Sequence, residues 1–311
     1  ILASATMTIE ELEKAIIEVK ERTDAPFGVN LRADAGDAPD RCQLLIDYGV
    51  KVASFALAPK PELIAKLKEH DIVVIPSIGA PKHAKKVAGW GADAVMIQGG
   101  EGGGHTGAVP TTLLLPTVLD AVDIPVIAAG GFFDGRGLAA ALSYGAAGIG
   151  MGTRFLLTQE SRVPDAVKQR YLEADLNGTI VTAKVDGMPH RMLRTPFVEQ
   201  VEETSTIKRM GPTLRRTREF KKMSGMSWPQ LAKDGYQMRK AQGRTLNQMA
   251  LAANTPMMLK AGLVEGDTNA GVLASGQVVG VIDELPTCDE LITRVVTQAA
   301  AELRRTQSYL I

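Results

Sequence analysis

The sequence predicts an α/β protein of the TIM (β/α)8-barrel class with an appended helical lobe. Short apolar runs rich in β-branched residues recur at intervals of roughly two dozen residues. Amphipathic helical stretches separate them, which implies βαβ units and a parallel sheet. Glycines gather directly after several of these runs, where barrels carry their chemistry.

Taken in order, "ILA" at the start reads as the end of a strand. Thr8 and Glu11 then have the spacing of a capping box opening a helix. Strands are predicted at "PFGVNL" (Pro26 to Leu31), "VKVASFAL" (Val50 to Leu57) and "IVVIPSIG" (Ile72 to Gly79). Three more are predicted at "ADAVMIQG" (Ala92 to Gly99), "IPVIAAGG" (Ile124 to Gly131) and "GIGMGTRF" (Gly148 to Phe155). "PELIAKLKEH", "PKHAKKVAGWG" and "GRGLAAALSYGA" have helical periodicity. A closed barrel has eight βα units, so the first strand and its helix are expected to precede Ile1, in a chain lacking an initiator Met or signal peptide. An open doubly wound sheet is the alternative. After Phe155 the sequence turns Met- and Arg-rich and is expected to be helical, closing with an amphipathic helix in "DELPTCDELITRVVTQAAAELRRTQSYL". The domains expected are the barrel over 1–195 (strands 2 to 8), a substrate-binding helical lobe over 196–270 and a C-terminal segment over 271–311 that packs back on the barrel.

The 35 basic and 35 acidic residues cancel, which argues against a general nucleic-acid binder. No apolar run reaches the ~18 residues of a membrane span. Cys42 and Cys288 are far apart, which suggests reduced thiols and a cytoplasmic protein. His70, His83 and His190 are scattered without carboxylates at ligand spacing, so no metal is expected.

Three loops stand out. "AAGG" (Ala128 to Gly131) and "GMGT" (Gly150 to Thr153) follow the seventh and eighth strands, where barrels often bind phosphate on backbone N–H groups. Gly130, Gly131, Gly150, Met151, Gly152 and Thr153 are the candidates, Thr153 adding a hydroxyl; tight turns alone explain one such loop more easily than both. The third loop, "MIQGGEGGGHTG", places six glycines between Gly99 and Gly107. Glycine lets backbone approach a ligand closely, so Gly102, Gly103 and Gly104 suit a planar cofactor and Gln98 can offer an amide. His105 then faces the barrel mouth, where an imidazole exchanges protons near neutral pH. Asp134 and Arg136 are expected to cap the following helix.

These stretches carry a resemblance. "QGGEGGGHTG", "IPVIAAGG" and "GAAGIGMGTRF", with "PFGVNL" upstream, resemble the nitronate monooxygenase family, which includes flavin-dependent enoyl-acyl-carrier-protein reductases. The match runs from Ile1 to about Arg194, and more loosely includes "ASGQVVG" (Ala274 to Gly280). It implies a TIM barrel holding FMN. Asn30, Gln98 and Gly103 would touch the ribityl chain or ring, Gly131 and Gly150 to Thr153 the phosphate, and His105 would be the catalytic histidine. The family usually has Ala where this chain has Gly102, and its Gly-Met flavin contact belongs to the first strand, which is expected to precede Ile1.

Within the family, "ILASATMT", "VNLRADAGD", "VASFALAPK" and "GGFFDGRGLAAAL" resemble a branch from bacterial sterol catabolism that acts on the bicyclic CoA thioester left from rings C and D. A local charge fits a CoA ester. Between Ser205 and Thr245, eleven basic residues, among them Arg215, Arg216, Arg218, Lys221 and Lys222, face only Glu219 and Asp234. Arginine forks bind phosphates well, and His190 is a further candidate at the substrate; a solvated helical face is the other reading of this charge. The expected activity is that of an FMN oxidoreductase introducing or reducing an α,β double bond, with NAD(P) or another electron acceptor. The expected partner is a CoA thioester, without nucleic acid or membrane, and a homo-oligomer is compatible with the sequence. The alternatives are a nitronate monooxygenase, a flavin-free phosphate-sugar lyase or isomerase, and a non-catalytic CoA-binding module.

Overall fold

A computed structural model describes residues 1–5, 7–185, 187–203, 255–268 and 271–309. Seven parallel strands form its main sheet: β1 (Leu2–Ala3), β2 (Gly28–Arg32), β3 (Val52–Ala56), β4 (Val73–Ile78), β5 (Val95–Gln98), β7 (Val126–Ala129) and β8 (Gly148–Gly150). β6 (Gly104–His105) belongs to a second sheet. The order β1-β2-β3-β4-β5-β7-β8 is sequential from edge to edge. A doubly wound sheet reverses its order at a switch point; this one does not, so the singly wound TIM-barrel arrangement holds.

The helices between the strands are α1 (Ile9–Arg22), α2 (Ala38–Asp47), α3 (Pro61–Lys68), α4 (Pro81–Gly89), α5 (Thr111–Leu119) and α6 (Gly135–Tyr144). The Thr8 capping box is present: Glu11 N donates to Thr8 Oγ1 at 3.2 Å and Thr8 N to Glu11 Oε2 at 2.8 Å. α1 buries Leu12 and Ile16 against Val29, Leu31 and Phe55 of the sheet. Such side chains contribute about 1.5–3 kcal/mol each on full burial. Arg41 of α2 ties the β1–α1 turn, donating to Ser4 O (3.1 Å) and Met7 O (2.7 Å) while pairing with Asp37 (2.8 Å).

The chain divides into two compact units. The first, residues 1–99, 109–129 and 140–150, contains the whole seven-stranded sheet. The second, residues 100–108, 130–139 and 151–311, holds the antiparallel sheet β6-β10-β9, with β9 at Thr179–Thr182 and β10 at His190–Leu193. Its helices include α7 (Thr153–Leu156), α8 (Asp165–Leu172), α9 (Pro196–Glu203), a helix at Thr255–Leu263 and the closing helix Cys288–Gln307. Tyr171 of α8 is fully buried with Leu157, Leu193 and Leu273, and its hydroxyl donates to Ala274 O at 2.7 Å.

Two sequence expectations need correction. The strand expected to run to Phe155 stops at Gly150, and Thr153 to Leu156 turn into helix, with Leu156 N bonded to Gly152 O at 2.9 Å. Gly150 and Gly152 bracket the turn. The stretch after Phe155 is not helical throughout either. β-branched "TIVT" forms β9, as its propensity favours.

Candidate active site

In the first unit, register aligns the C-terminal strand ends. Gln98 pairs with Ala129 and Ala129 with Gly150, so these three positions share one row and one face. A Cβ on Gly150 would meet Met96 and Ala129 at ordinary contact distances of 3.4–3.6 Å. Asn30 lies on another part of the sheet, with β3 and β4 between its strand and that of Gln98. Its amide donates to Ser54 Oγ at 2.8 Å. Ser54 is a residue the sequence reading missed; its signal is a hydroxyl inside the apolar run "VASFAL", on the same row as Asn30.

In the second unit the glycine-rich loop folds back on itself. β6 pairs with β10, placing His105 opposite His190 and Gly104 opposite Arg191. His105 is exposed and His190 is 2% exposed, and their rings lie 4.8 Å apart, tilted by 54°. Gly104 has φ +76°, the left-handed region that favours glycine, although nothing lies within 4 Å of a would-be Cβ. Gly103 has a different reason. A Cβ there would stand 2.5 Å from Gly276 N and Ser275 C, so the close approach at this position is to the protein's own backbone. Arg191 closes the loop entrance, donating from Nε and Nη2 to Gly100 O at 3.2 and 2.9 Å.

The candidate phosphate residues of this unit sit as follows. Gly130 and Gly131 have φ of +96° and +84°, and a Cβ on Gly131 would meet the Glu101 side chain at 3.7–3.8 Å. Gly152 is exposed, with open space where a Cβ would be, and Met151 is partly buried. Thr153 is buried and its Oγ1 accepts from Gly276 N at 2.8 Å, which leaves the hydroxyl proton to donate. Open glycine flanks, positive-φ turns and a hydroxyl at a helix start are a donor set that suits a flavin phosphate. Asp134 does cap α6, accepting from Arg136 N (3.0 Å) and Gly137 N (3.3 Å).

Arg154 follows Thr153 and is 3% exposed. Its Nη2 donates to Leu157 O and Glu284 O at 2.7 and 2.8 Å, and desolvation holds its pKa below the usual arginine value. Arg154 therefore braces the turn rather than meeting a ligand. Arg215, Arg216, Arg218, Lys221 and Lys222 lie outside the described residues. Among the described residues no group of three His, Cys, Asp or Glu stands together as a metal site, and no helix is long and apolar enough to cross a membrane.

Residues 1–298 match the family model described as nitronate monooxygenase. The chain is 67% identical over 299 residues to a Rhodococcus jostii protein, covering 96% of this chain and 85% of that one. It is 64% identical over 307 residues to a Mycobacterium tuberculosis protein, covering 98% and 86%. Both relatives are described as (3aS,4S,5R,7aS)-5-hydroxy-7a-methyl-1-oxo-octahydro-1H-indene-4-carboxyl-CoA dehydrogenase. The structure of FabK from Thermotoga maritima superposes with a TM-score of 0.79 at 33% identity, over 98% of this chain and 86% of that one. The chain belongs to the nitronate monooxygenase family and is a flavin-dependent oxidoreductase on the TIM-barrel fold.

Proposed function

We propose that the protein is an FMN-dependent dehydrogenase that introduces an α,β double bond into a bicyclic CoA thioester from sterol rings C and D, working in the cytoplasm with NAD(P) or another acceptor. The observation that carries the chemistry is His105: an exposed imidazole, fixed by strand pairing at the end of a glycine-rich loop. The substrate class rests on the activity by which the Rhodococcus and Mycobacterium relatives are described.

When bound, the flavin supplies a two-electron acceptor for the hydride that leaves the β carbon. An imidazole nitrogen of His105 takes the acidic proton from the α carbon. Gln98 offers an amide N–H, a donor of the kind that steadies the thioester oxygen as it gains charge. Thr153, with the backbone N–H groups after Gly150, would hold the flavin phosphate. The basic segment containing Arg215, Arg216, Arg218, Lys221 and Lys222 has the charge to bind the phosphates of CoA.

The test is product analysis by mass spectrometry with the hydroindane-type thioester. Loss of two hydrogens from the thioester with the wild type, and not with His105→Ala, is expected; unchanged thioester with the wild type would refute the substrate assignment. The family description favours a second reading, nitronate oxidation with O2. Oxygen uptake with propionate 3-nitronate but no thioester turnover would establish that one instead.

A further inference from the structure

β10 reaches the His105 loop from both of its faces. Successive side chains on a strand point to opposite sides. His190, the first residue of β10, presents its buried ring to His105 at 4.8 Å. Arg191, the next, sends its guanidinium to the loop entrance. Two of its N–H groups converge on Gly100 O, and Nη1 donates to Thr179 Oγ1 of β9 at 2.8 Å. One strand thus grips the loop at its entrance and at the imidazole. Backbone contacts hold the interval: Gln277 N donates to Glu101 O at 2.9 Å, Thr106 N to Pro189 O at 3.1 Å, and Gly103 abuts Ser275 and Gly276.

A guanidinium is an expensive anchor for a carbonyl. Burial pulls the Arg191 pKa below the usual arginine value, with Glu101 opposing that shift. A neutral residue would fill the space without the desolvation cost. What arginine adds is a rigid planar fork that reaches Gly100 and Thr179 at once. Such rigidity matters where a reacting group must stay in register, since a displacement of about 1 Å costs catalysis about 100-fold. We infer that Arg191 and His190 are positioning residues that set the place and orientation of the His105 imidazole. The inference rests on the catalytic reading of His105 given above.

The test uses the flavin-loaded enzyme with Arg191→Lys, His190→Ala and His190→Phe, beside His105→Ala. Steady-state kinetics is read together with the rate at which diethylpyrocarbonate modifies His105, followed by peptide mass mapping. The exposed His70 and His83 serve as internal references. Arg191→Lys keeps the charge but loses the fork. It is expected to lower kcat by about 10- to 100-fold with KM little changed, and to alter the modification rate of His105 but not of the references. His190→Ala should do the same, and His190→Phe, which keeps a ring there, should restore most of both readouts. Should Arg191→Lys fail to fold, the two His190 variants carry the test. Wild-type kcat in Arg191→Lys and His190→Ala, or lowered kcat with an unaltered His105 modification rate, would overturn the inference. Full turnover by His105→Ala would instead overturn the catalytic reading, while the modification rates still decide whether β10 positions the ring.

Discussion

Two glycine-to-alanine substitutions separate glycines the fold needs from glycines a ligand needs. At Gly103 the added methyl would lie 2.5 Å from Gly276 N and Ser275 C, and 3.0 Å from Ser275 O. All three are backbone atoms and cannot rotate away; ordinary contact begins at about 3.5 Å, so the overlap is about 1 Å. Overpacking of this kind costs about 1–3 kcal/mol, about a 5- to 150-fold shift in the folding equilibrium. At Gly152 φ is −91° and nothing lies within 4 Å of the new methyl. Gly152→Ala should therefore change stability by no more than about 0.5 kcal/mol. If the flavin phosphate lies against Gly152, the same methyl should weaken flavin binding by about tenfold or more. The assays are urea unfolding midpoints of the flavin-free protein and Kd from flavin fluorescence titration. A wild-type midpoint for Gly103→Ala would refute the backbone-approach argument. Wild-type flavin affinity in Gly152→Ala would refute the phosphate assignment at that residue.

Other expectations follow from the same geometry. Arg41→Met removes the guanidinium bonds to Ser4 O, which keeps Met7 N as a donor at 3.1 Å, and to Met7 O; it should destabilise the fold by about 1–3 kcal/mol, read as a lowered urea midpoint. Thr8→Ala removes the α1 capping box and should cost about 1 kcal/mol in the same assay. Hydrogen bonds at the start of the closing helix hold Glu160 (from Cys288 N) and Glu290 (from Thr287 N) below the usual carboxylate value of 4.5. A depressed folded-state pKa gives stability that is present above that value and lost as pH falls through the folded pKa. Acid unfolding followed by circular dichroism should thus be shallower in a Glu160→Gln, Glu290→Gln variant. Burial pushes the Cys42 thiol up to about 11, so the folded state retains that proton and its contribution fades as pH rises from about 9 toward 11. A maleimide at pH 8 should label the partly exposed Cys288 first and reach Cys42 only on unfolding.

The barrel was readable because its signals are local. β-branched runs marked β2 to β5 and β7 to within a few residues, β8 was found but extended too far into the following turn and helix, and the Thr8–Glu11 spacing marked the start of α1. α5 was harder to see, since its segment "TTLLLPTVL" is almost wholly apolar and carries Pro116. The surroundings of His105 were hidden for another reason. A two-residue strand has no periodicity, and its partner β10 comes 85 positions later. Glycine density suggested close approach at the loop, yet could not distinguish an approach to Ser275 and Gly276 from an approach to a ligand. His105 could therefore be singled out as a candidate from the sequence, while its pairing with His190 and the contacts of its loop with Arg191 and Gly276 needed the tertiary structure.

The most direct test of the central claim is the visible spectrum of the purified flavoprotein before and after anaerobic addition of the hydroindane-type CoA thioester. The account predicts that the flavin absorbance bleaches with this thioester, rapidly in the wild type and far more slowly in His105→Ala. A flavin spectrum indifferent to the thioester but bleached by a nitronate would contradict it.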